Sequence, residues 1–258
     1  MEYKINSYFW WTSYPILSLM SPTFETFSAQ HLSTLFIFGL ITYAVIRKGK
    51  AAEEPEKTDI GIVIAGLTFS TLIIDAIVKL FYGTFDIYSD LPFFLCDLVA
   101  MFLPFVLLYQ NRKWIGILYF WALAGTMQAI ITPDLEDGFP SFHFFRYFIG
   151  HAGIIIAILY TVIVHKIDIT WQDFINAVIY AQVYLVGVHM INIMMSSNYG
   201  YTMHKPPGGS VLDFMGPWPW YILVGELLMV SLYLLLMVPF ILRRAKSKNE
   251  ASVPNGDS

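Results

Sequence analysis

Seven long apolar stretches dominate the pattern of hydrophobic and polar positions along the chain. Each is close to the ~20 residues that an α-helix needs to cross a bilayer. Segments rich in charged and turn-forming residues, such as RKGKAAEEPEK and TPDLEDGFPS, separate them. The pattern therefore predicts an all-α fold, a polytopic membrane protein built as a bundle of about seven transmembrane helices. The stretches cover residues 27–47, 59–83, 90–109, 113–132, 144–165, 172–195 and 218–242.

The two ends of the chain differ from this apolar region. Residues 1–26 are aromatic and interrupted by proline, which is typical of a segment that lies in the membrane interface. Residues 243–258 are polar, and their composition favours disorder. We therefore expect an interfacial N-terminal segment over 1–26, a transmembrane domain over 27–242 and a disordered polar tail over 243–258.

The overall composition excludes an ordinary soluble protein. Hydrophobic residues make up 57% of the chain and charged residues 13%, whereas soluble domains carry about 25% charged residues. The single cysteine excludes an internal disulfide, and no paired Cys or His spacing indicates a structural metal. We expect no metal, no cofactor and no nucleic-acid partner.

Basic residues gather on one side of the seven-span arrangement. Only Lys4, Arg146 and Lys205 flank the other side. Since cytoplasmic loops carry the excess of Lys and Arg, the pattern predicts an external N-terminus and a cytoplasmic C-terminus. The residues on the cytoplasmic side are Arg47, Lys48, Lys50, Lys57, Arg112, Lys113, Lys166, Arg243, Arg244, Lys246 and Lys248.

The polar residues inside the spans fall in the outer half of the predicted membrane. Ionisable groups at membrane depth are costly unless they face a bundle interior or a wet cavity. The distribution therefore predicts a polar chamber near the outer leaflet. Besides Asp75, Lys79, Cys96 and His151, we name a set of candidate substrate-binding residues near or above this chamber: His31, Asp97, Gln128, Arg146, His189, Asn192, Tyr199, Lys205 and Glu226.

Helical spacing places some of these residues on shared faces. Asp75 and Lys79 fit an i, i+4 ion pair that holds the bundle together. For His189 and Asn192, interhelical hydrogen bonding and substrate contact are equally consistent with the pattern. The two polar stripes are Thr68, Thr71, Asp75 and Lys79 in one helix, and Gln182, His189, Asn192 and Ser196 in another.

Cys96 and His151 are the candidate catalytic residues. They lie in the segments LPFFLCD and YFIGHAG, and at ~1.5 Å per residue both sit about 8 to 11 Å below the same membrane face. A neighbouring imidazole is able to take the proton of a thiol, which makes the sulfur a nucleophile for acyl transfer. Two unrelated core residues explain the same positions, so the residues alone leave both interpretations open.

A family resemblance favours the catalytic interpretation. The order of LPFFLCD, QAIITPDLEDGFPSFHFFRYFIGHAG and NYGYTMHKPPGGSVLDFMGPWPWY resembles the YwaF-like family of bacterial integral membrane proteins and its eukaryotic relative, transmembrane protein 164. The resemblance covers residues 31–240. It implies a membrane-embedded acyltransferase, similar in layout to the androgen-induced-gene-type lipid hydrolases, with the catalytic Cys and His at Cys96 and His151.

The resemblance leads to a specific expectation for the reaction and the partner. A phospholipid or lysophospholipid in the bilayer would give its acyl chain to Cys96, with His151 as general base and acid. The enzyme would lie in the bacterial cytoplasmic membrane with its site toward the outer leaflet. Two alternatives stay open: a metal-dependent hydrolase using His31, His151 and His189, and a transporter or receptor whose polar chamber only binds a lipid or small molecule.

Overall fold

Seven helices form a bundle in the computed structural model of the protein, which describes residues 22–206 and 211–251. Six of them are long and apolar enough to cross a membrane, and α3 is shorter. This confirms the predicted all-α fold of a multi-pass membrane protein. The helices are α1 Ala29–Ala51, α2 Glu56–Tyr82, α3 Leu95–Leu108, α4 Arg112–Ile131, α5 Phe142–Val164, α6 Trp171–Met195 and α7 Trp220–Ala251.

Helix α5, which carries His151, begins two residues before the predicted position 144, and a local sequence signal sets this start. The Ser141 hydroxyl caps it by accepting a hydrogen bond from Phe144 N at 3.0 Å, which satisfies one of the free amide groups at a helix N-terminus. The loop between α4 and this cap ends with Gly138, Phe139 and Pro140, which disfavour a continuous helix. The local signals therefore fix the level at which α5 enters the bundle.

The core of the bundle is built from α4 and α5. In each of these helices 61% of the most apolar stretch is buried, compared with 6% in α1 and 17% in α6 and α7. Large apolar side chains on the outer helices, such as Phe36, Leu67 and Leu235, point away from the protein. In a bilayer these side chains contact lipid, so their exposure is consistent with a membrane-spanning fold.

Contacts between helix ends show that consecutive helices run in alternating directions. At one end, Gln110 Nε2 donates to Thr58 Oγ1 at 3.2 Å, and Arg112 pairs with Asp173 at 2.7 Å. We call this the basic end, because the basic residues that predict the cytoplasmic side lie in the helix ends and loops there. The opposite end, where α2 ends and α3 begins, is called the cavity end.

The third apolar stretch departs from the prediction of a span over 90–109. Helix α3 has 14 residues, about 21 Å at ~1.5 Å per residue, and it begins only at Leu95. Pro92 lacks an amide proton and disfavours helical backbone at the residue before it. Residues 84–94 therefore form an irregular connection, which we call the strap.

The strap keeps its backbone groups hydrogen-bonded although it is not helical. Tyr199 Oη donates to Ile87 O at 2.8 Å and accepts from Leu91 N at 3.1 Å. Tyr184 Oη donates to Phe93 O at 3.0 Å. Irregular backbone at membrane depth is tolerated only where the protein satisfies it, so these two tyrosines make the recessed start of α3 possible.

Helix α4 contains a π-helical segment over Trp121–Thr126. This segment lies against α3 and α5, in the middle of the bundle. The pattern of apolar residues predicts a helix over 113–132 but gives no sign of the widened turn. Such π segments within α-helices occur frequently at functional sites.

The predicted end segments are described only in part. Residues 1–21 and 252–258 lie outside the described residues. Just after the first of these, Phe24 N donates to Glu136 O at 2.7 Å, which ties the segment before α1 to the loop between α4 and α5. At the other end, α7 continues to Ala251, past the predicted helix end at Leu242.

Candidate active site

Cys96 and His151 line one small cavity where α2, α3 and α5 meet. Its volume is about 10 Å³, roughly the space that a single water molecule needs. The predicted shared depth of the two residues therefore corresponds to a shared location. The cavity lining comprises Thr71, Leu72, Cys96, Asp97, Ala100, Arg146, Gly150, His151 and Ile154.

Cys96 is the second residue of α3, at the N-terminus of the helix. The first hydrogen bond within the helix runs from Leu98 N to Phe94 O at 3.0 Å, and the Phe94 side chain does not cap the helix. The amide groups of Leu95, Cys96 and Asp97 thus have no acceptor within α3. They place the partial positive charge of the helix N-terminus next to the sulfur, where it stabilises negative charge.

The orientation of His151 follows from its hydrogen bond to the preceding turn of α5. His151 Nδ1 lies 2.8 Å from Tyr147 O, and the His151 and Tyr147 rings pack with centroids 4.3 Å apart and planes tilted by 33°. A carbonyl only accepts, so Nδ1 carries the proton. Nε2 is then the unprotonated nitrogen, which is the form that a general base requires.

Five charged side chains cluster beside the cavity at the cavity end. Lys79 pairs with Asp75 at 3.3 Å and with Asp90 of the strap at 2.6 Å, which confirms the predicted i, i+4 ion pair. Arg146 lies 3.5 Å from Asp75 and 3.6 Å from Asp97. These distances exceed the ~2.7–2.9 Å of a strong charge-assisted hydrogen bond, so Arg146 is held loosely.

His31 lies in a different place from the cavity. Its Nε2 donates to Ile130 O at 2.8 Å, and its Nδ1 accepts from Phe27 N at 3.0 Å. The ring is fully buried against Phe24 and Phe148. Both ring nitrogens are used by the backbone, so the structure gives His31 the role of joining α1 to the end of α4.

His189, Asn192 and Tyr199 form a hydrogen-bonded brace for the loop after α6. Asn192 is fully buried and bonds through its amide nitrogen to Tyr199 O and Thr202 Oγ1, both at 2.8 Å, and through its oxygen to Ser197 and to Tyr199 N. His189 Nδ1 lies 3.1 Å from Thr202 Oγ1. The brace presents Tyr199 to the strap, where its ring packs on Phe93 and Phe94 just before α3 begins.

Tyr201, in the same loop, covers the start of α3. Its ring packs on Phe94 with centroids 5.6 Å apart. Burial and the neighbouring Asp134 carboxylate raise the pKa of Tyr201 to about 12. Its hydroxyl therefore stays protonated at neutral pH and remains a hydrogen-bond donor near the cavity end.

The remaining predicted site residues lie apart from the cavity. Gln128 is exposed near the end of α4. Lys205 lies 3.8 Å from Asp213 and over the ring of Tyr221. Glu226 accepts a hydrogen bond from Gln182, which joins α7 to α6. Of the eleven predicted site residues, the structure places Cys96, Asp97, Arg146 and His151 at the cavity.

A comparison with protein-family models identifies the family. The model described as the TMEM164 family matches residues 26–237, which includes every helix up to most of α7. The chain belongs to the TMEM164 family. No curated protein and no solved structure matches it.

The structure also shows residues in or beside the cavity of this TMEM164 family member that the sequence interpretation missed; Gly150 lines the cavity, and Thr126 contacts the lining residue Cys96. Thr126, in the π segment, has its Oγ1 3.6 Å from Cys96 Sγ. Gly150, one residue before His151, lets α5 approach Thr71 of α2 closely, since a Cβ at this position would lie 3.2 Å from Thr71 Oγ1. The polar stripe of α2 already indicated that Thr71 faces other polar residues. The hydrophobic periodicity of α4 gave no such indication for Thr126.

A larger cavity of about 220 Å³ lies at the basic end, away from Cys96. Its polar groups already have partners within the protein. Gln110 donates to Thr58, and Arg112 makes two hydrogen bonds to Asp173. The chemistry of the site therefore points to the smaller cavity, where a thiol, an imidazole and loosely held charges meet.

Proposed function

We propose that this TMEM164 family member is an integral membrane acyltransferase, or lipid ester hydrolase, that moves the fatty acyl chains of phospholipids through a thioester on Cys96. One observation carries the proposal: two helices far apart in sequence bring the single thiol and an imidazole with an unprotonated Nε2 to one cavity. A thiolate paired with a histidine base is a suitable nucleophile for an ester carbonyl.

The first half of the reaction forms the thioester. His151 Nε2 takes the proton from the Cys96 thiol, and the sulfur attacks the ester carbonyl of the phospholipid. The carbon–oxygen bond of the ester then breaks, and His151 returns the proton to the departing alkoxide, which leaves as a lysophospholipid.

The second half releases the acyl chain. The hydroxyl group of a lysophospholipid, or of water in the hydrolase case, attacks the thioester while His151 takes its proton. The carbon–sulfur bond breaks, and the proton returns to Cys96. The same pair of residues thus serves both half-reactions, and atoms and charges balance in each.

Arg146 and Lys79 supply positive charge for the lipid headgroup. Both side chains are partly exposed at the cavity end, and Arg146 is only loosely paired with Asp75 and Asp97. If the phosphate of a phospholipid binds here, the ester carbonyls of the same lipid lie a few ångströms deeper, toward Cys96. The acyl chains would extend along the apolar inner parts of α2, α3 and α5.

Substrate binding requires the helices around the cavity to separate. A cavity of about 10 Å³ accommodates no ester group with its chain, so the structure corresponds to a resting state. The strap and the loop that carries Tyr199 lie over the start of α3 and are the natural elements to move. Gating by such loops is common in enzymes that exclude water from a reactive intermediate.

The proposal includes an orientation and a location. The basic end faces the cytoplasm, the N-terminus lies outside, and the site opens toward the outer leaflet of a bacterial cytoplasmic membrane. The resemblance to YwaF-like bacterial proteins belongs to the same proposal.

Intact-lipid mass spectrometry tests the activity without a prior choice of substrate. Membranes that contain the wild-type protein are expected to show redistributed acyl chains among their phospholipids, or an accumulation of lysophospholipid. Cys96→Ala and His151→Ala are expected to give the lipid profile of membranes without the protein. Lys48→Gln, which changes an exposed residue at the basic end, serves as the matched control. Equal lipid profiles with and without the wild-type protein would contradict the proposal.

A further inference from the structure

Threonine hydroxyls in the helices of this protein generally bond to their own helix. Thr34, Thr42, Thr68 and Thr161 each donate to the carbonyl four residues earlier, at 2.7–2.9 Å. Thr126 is different, because within the described residues its hydrogen-bond partner is the sulfur of Cys96, at 3.6 Å. Its hydroxyl points across a helix interface instead of back along α4.

The π segment explains why Thr126 is free to do this. In a π-helix the backbone hydrogen bonds connect residues five apart, so the turn widens and the carbonyl oxygens shift relative to the side chains. Thr126 is the last residue of the segment Trp121–Thr126. It is 1% exposed, and the segment packs against α3. In a regular α-helix the Thr126 hydroxyl would donate to the carbonyl oxygen four residues earlier.

We propose that Thr126 is the hydrogen-bond partner that positions the Cys96 sulfur and stabilises its thiolate during turnover. The catalytic meaning rests on the proposed function. The hydrogen bond itself requires no lipid, so it is testable separately.

The chemistry of a hydroxyl suits both protonation states of the sulfur. A hydroxyl is one donor and two acceptors, so it is able to accept from the S–H group of the resting thiol. A thiolate only accepts, so once His151 has taken the proton the hydroxyl rotates and donates to the sulfur. A hydrogen bond to an ion is about twice as strong as one between neutral groups, and Thr126 therefore favours the reactive form.

The first measurement is the rate at which methyl methanethiosulfonate modifies the protein. Cys96 is the single cysteine of the chain, so the signal comes from one sulfur, and the rate rises with its thiolate fraction. Thr126→Val removes the hydroxyl with little change of shape and is expected to slow the reaction about 10-fold at neutral pH. Thr126→Ser keeps the hydroxyl and is expected to restore the rate to within about twofold.

Thr161→Val is the matched control, because Thr161 is also a buried helical threonine but lies at the basic end. It should leave the modification rate unchanged. Equal rates for Thr126→Val and the wild type would overturn the proposal. So would a Thr126→Ser variant as slow as Thr126→Val, since that result would assign the effect to packing.

A second measurement leaves Thr126 unchanged, so it does not depend on whether a Thr126 variant folds. The infrared S–H stretch of the wild type, obtained by subtracting the spectrum of Cys96→Ala, belongs to one thiol and shifts to lower frequency when the thiol donates a hydrogen bond. We expect the shifted frequency. A band at the frequency of an unbonded thiol would overturn the proposal. The two proposals are distinguishable. If the band is shifted and Thr126→Val is modified slowly, Thr126 is the partner of Cys96. If the same protein transfers no acyl chains, the proposed function is wrong although this hydrogen bond exists.

Discussion

Arg146 Nε lies 3.5 Å from a carboxylate oxygen of Asp75 and, within the described residues, is buried without a hydrogen bond. The same guanidinium lies 3.6 Å from Asp97. Lys79 already holds Asp75 and Asp90, so the cluster combines three carboxylates with two cations. Arg146 is therefore both a counter-charge for the cluster and a group that an incoming anion is able to recruit.

Replacing Arg146 by Gln is expected to destabilise the protein by about 1–3 kcal/mol, because Asp97 loses its counter-charge and Asp75 keeps only Lys79. The double variant Arg146→Gln with Asp97→Asn should recover part of this loss, since it removes one of the unpaired charges. Thermal unfolding in detergent measures both effects. Lys48→Gln is the control, because its ion pair with Glu56 is long and exposed. An equal loss for the single and double variants would show that Asp97 and Arg146 are not coupled.

Gly150→Ala tests whether the cavity itself matters. The added Cβ would lie 3.2 Å from Thr71 Oγ1 and would fill part of the space between α2 and α5. We expect a slower modification of Cys96 and a stability loss of about 1 kcal/mol. Gly39→Ala, whose Cβ meets no atom within 4 Å, should be neutral or slightly stabilising. Unchanged Cys96 reactivity in Gly150→Ala would show that this cavity does not govern access to the thiol.

Tyr199→Phe tests the strap as the cover of Cys96. The change removes the hydroxyl that bonds Ile87 O and Leu91 N, and an unpaired buried backbone group costs about 1–3 kcal/mol. The strap should loosen, and a bulky maleimide should label Cys96 several-fold faster. Tyr88→Phe changes an exposed strap residue and should have no effect. Slower or unchanged labelling of Tyr199→Phe would indicate that lipid reaches Cys96 by another route.

The membrane orientation has its own test. A reporter fused after Ser258 should be cytoplasmic, and a reporter inserted near Asp137 should be external, because the basic end is expected to face the cytoplasm. Alkaline phosphatase and fluorescent protein fusions distinguish the two sides. An external reporter at Ser258 would place the cavity end at the inner leaflet.

The sequence predicted the bundle well, because six apolar stretches are long enough to span a membrane whatever their packing. It failed for the stretch over 90–109. Pro92 indicates an interruption of the helix. Only the tertiary contacts of Tyr199 and Tyr184 show that the irregular strap keeps its backbone groups hydrogen-bonded at that depth.

The site was predicted in part, for a physical reason. Depth along a helix follows from residue number, and the four predicted residues Cys96, Asp97, Arg146 and His151 line one cavity in the structure. Depth does not specify which face of each helix meets the cavity. His31 and Asn192 were expected in the same outer half of the membrane, yet their polar atoms bond to the backbone of neighbouring segments. Thr126 depends on a π segment, which hydrophobic periodicity does not reveal.

The most direct test of the central claim is mass spectrometry of the intact protein after brief incubation with a phospholipid that carries a labelled acyl chain. The wild type is expected to gain the mass of one acyl chain on Cys96, and hydroxylamine, which cleaves thioesters, should remove it. His151→Ala should acquire the chain about 100-fold more slowly, since it lacks the general base, and Cys96→Ala should remain unmodified. Transfer of acyl chains by purified Cys96→Ala at the wild-type rate would show that Cys96 is structural and that the proposed mechanism is wrong.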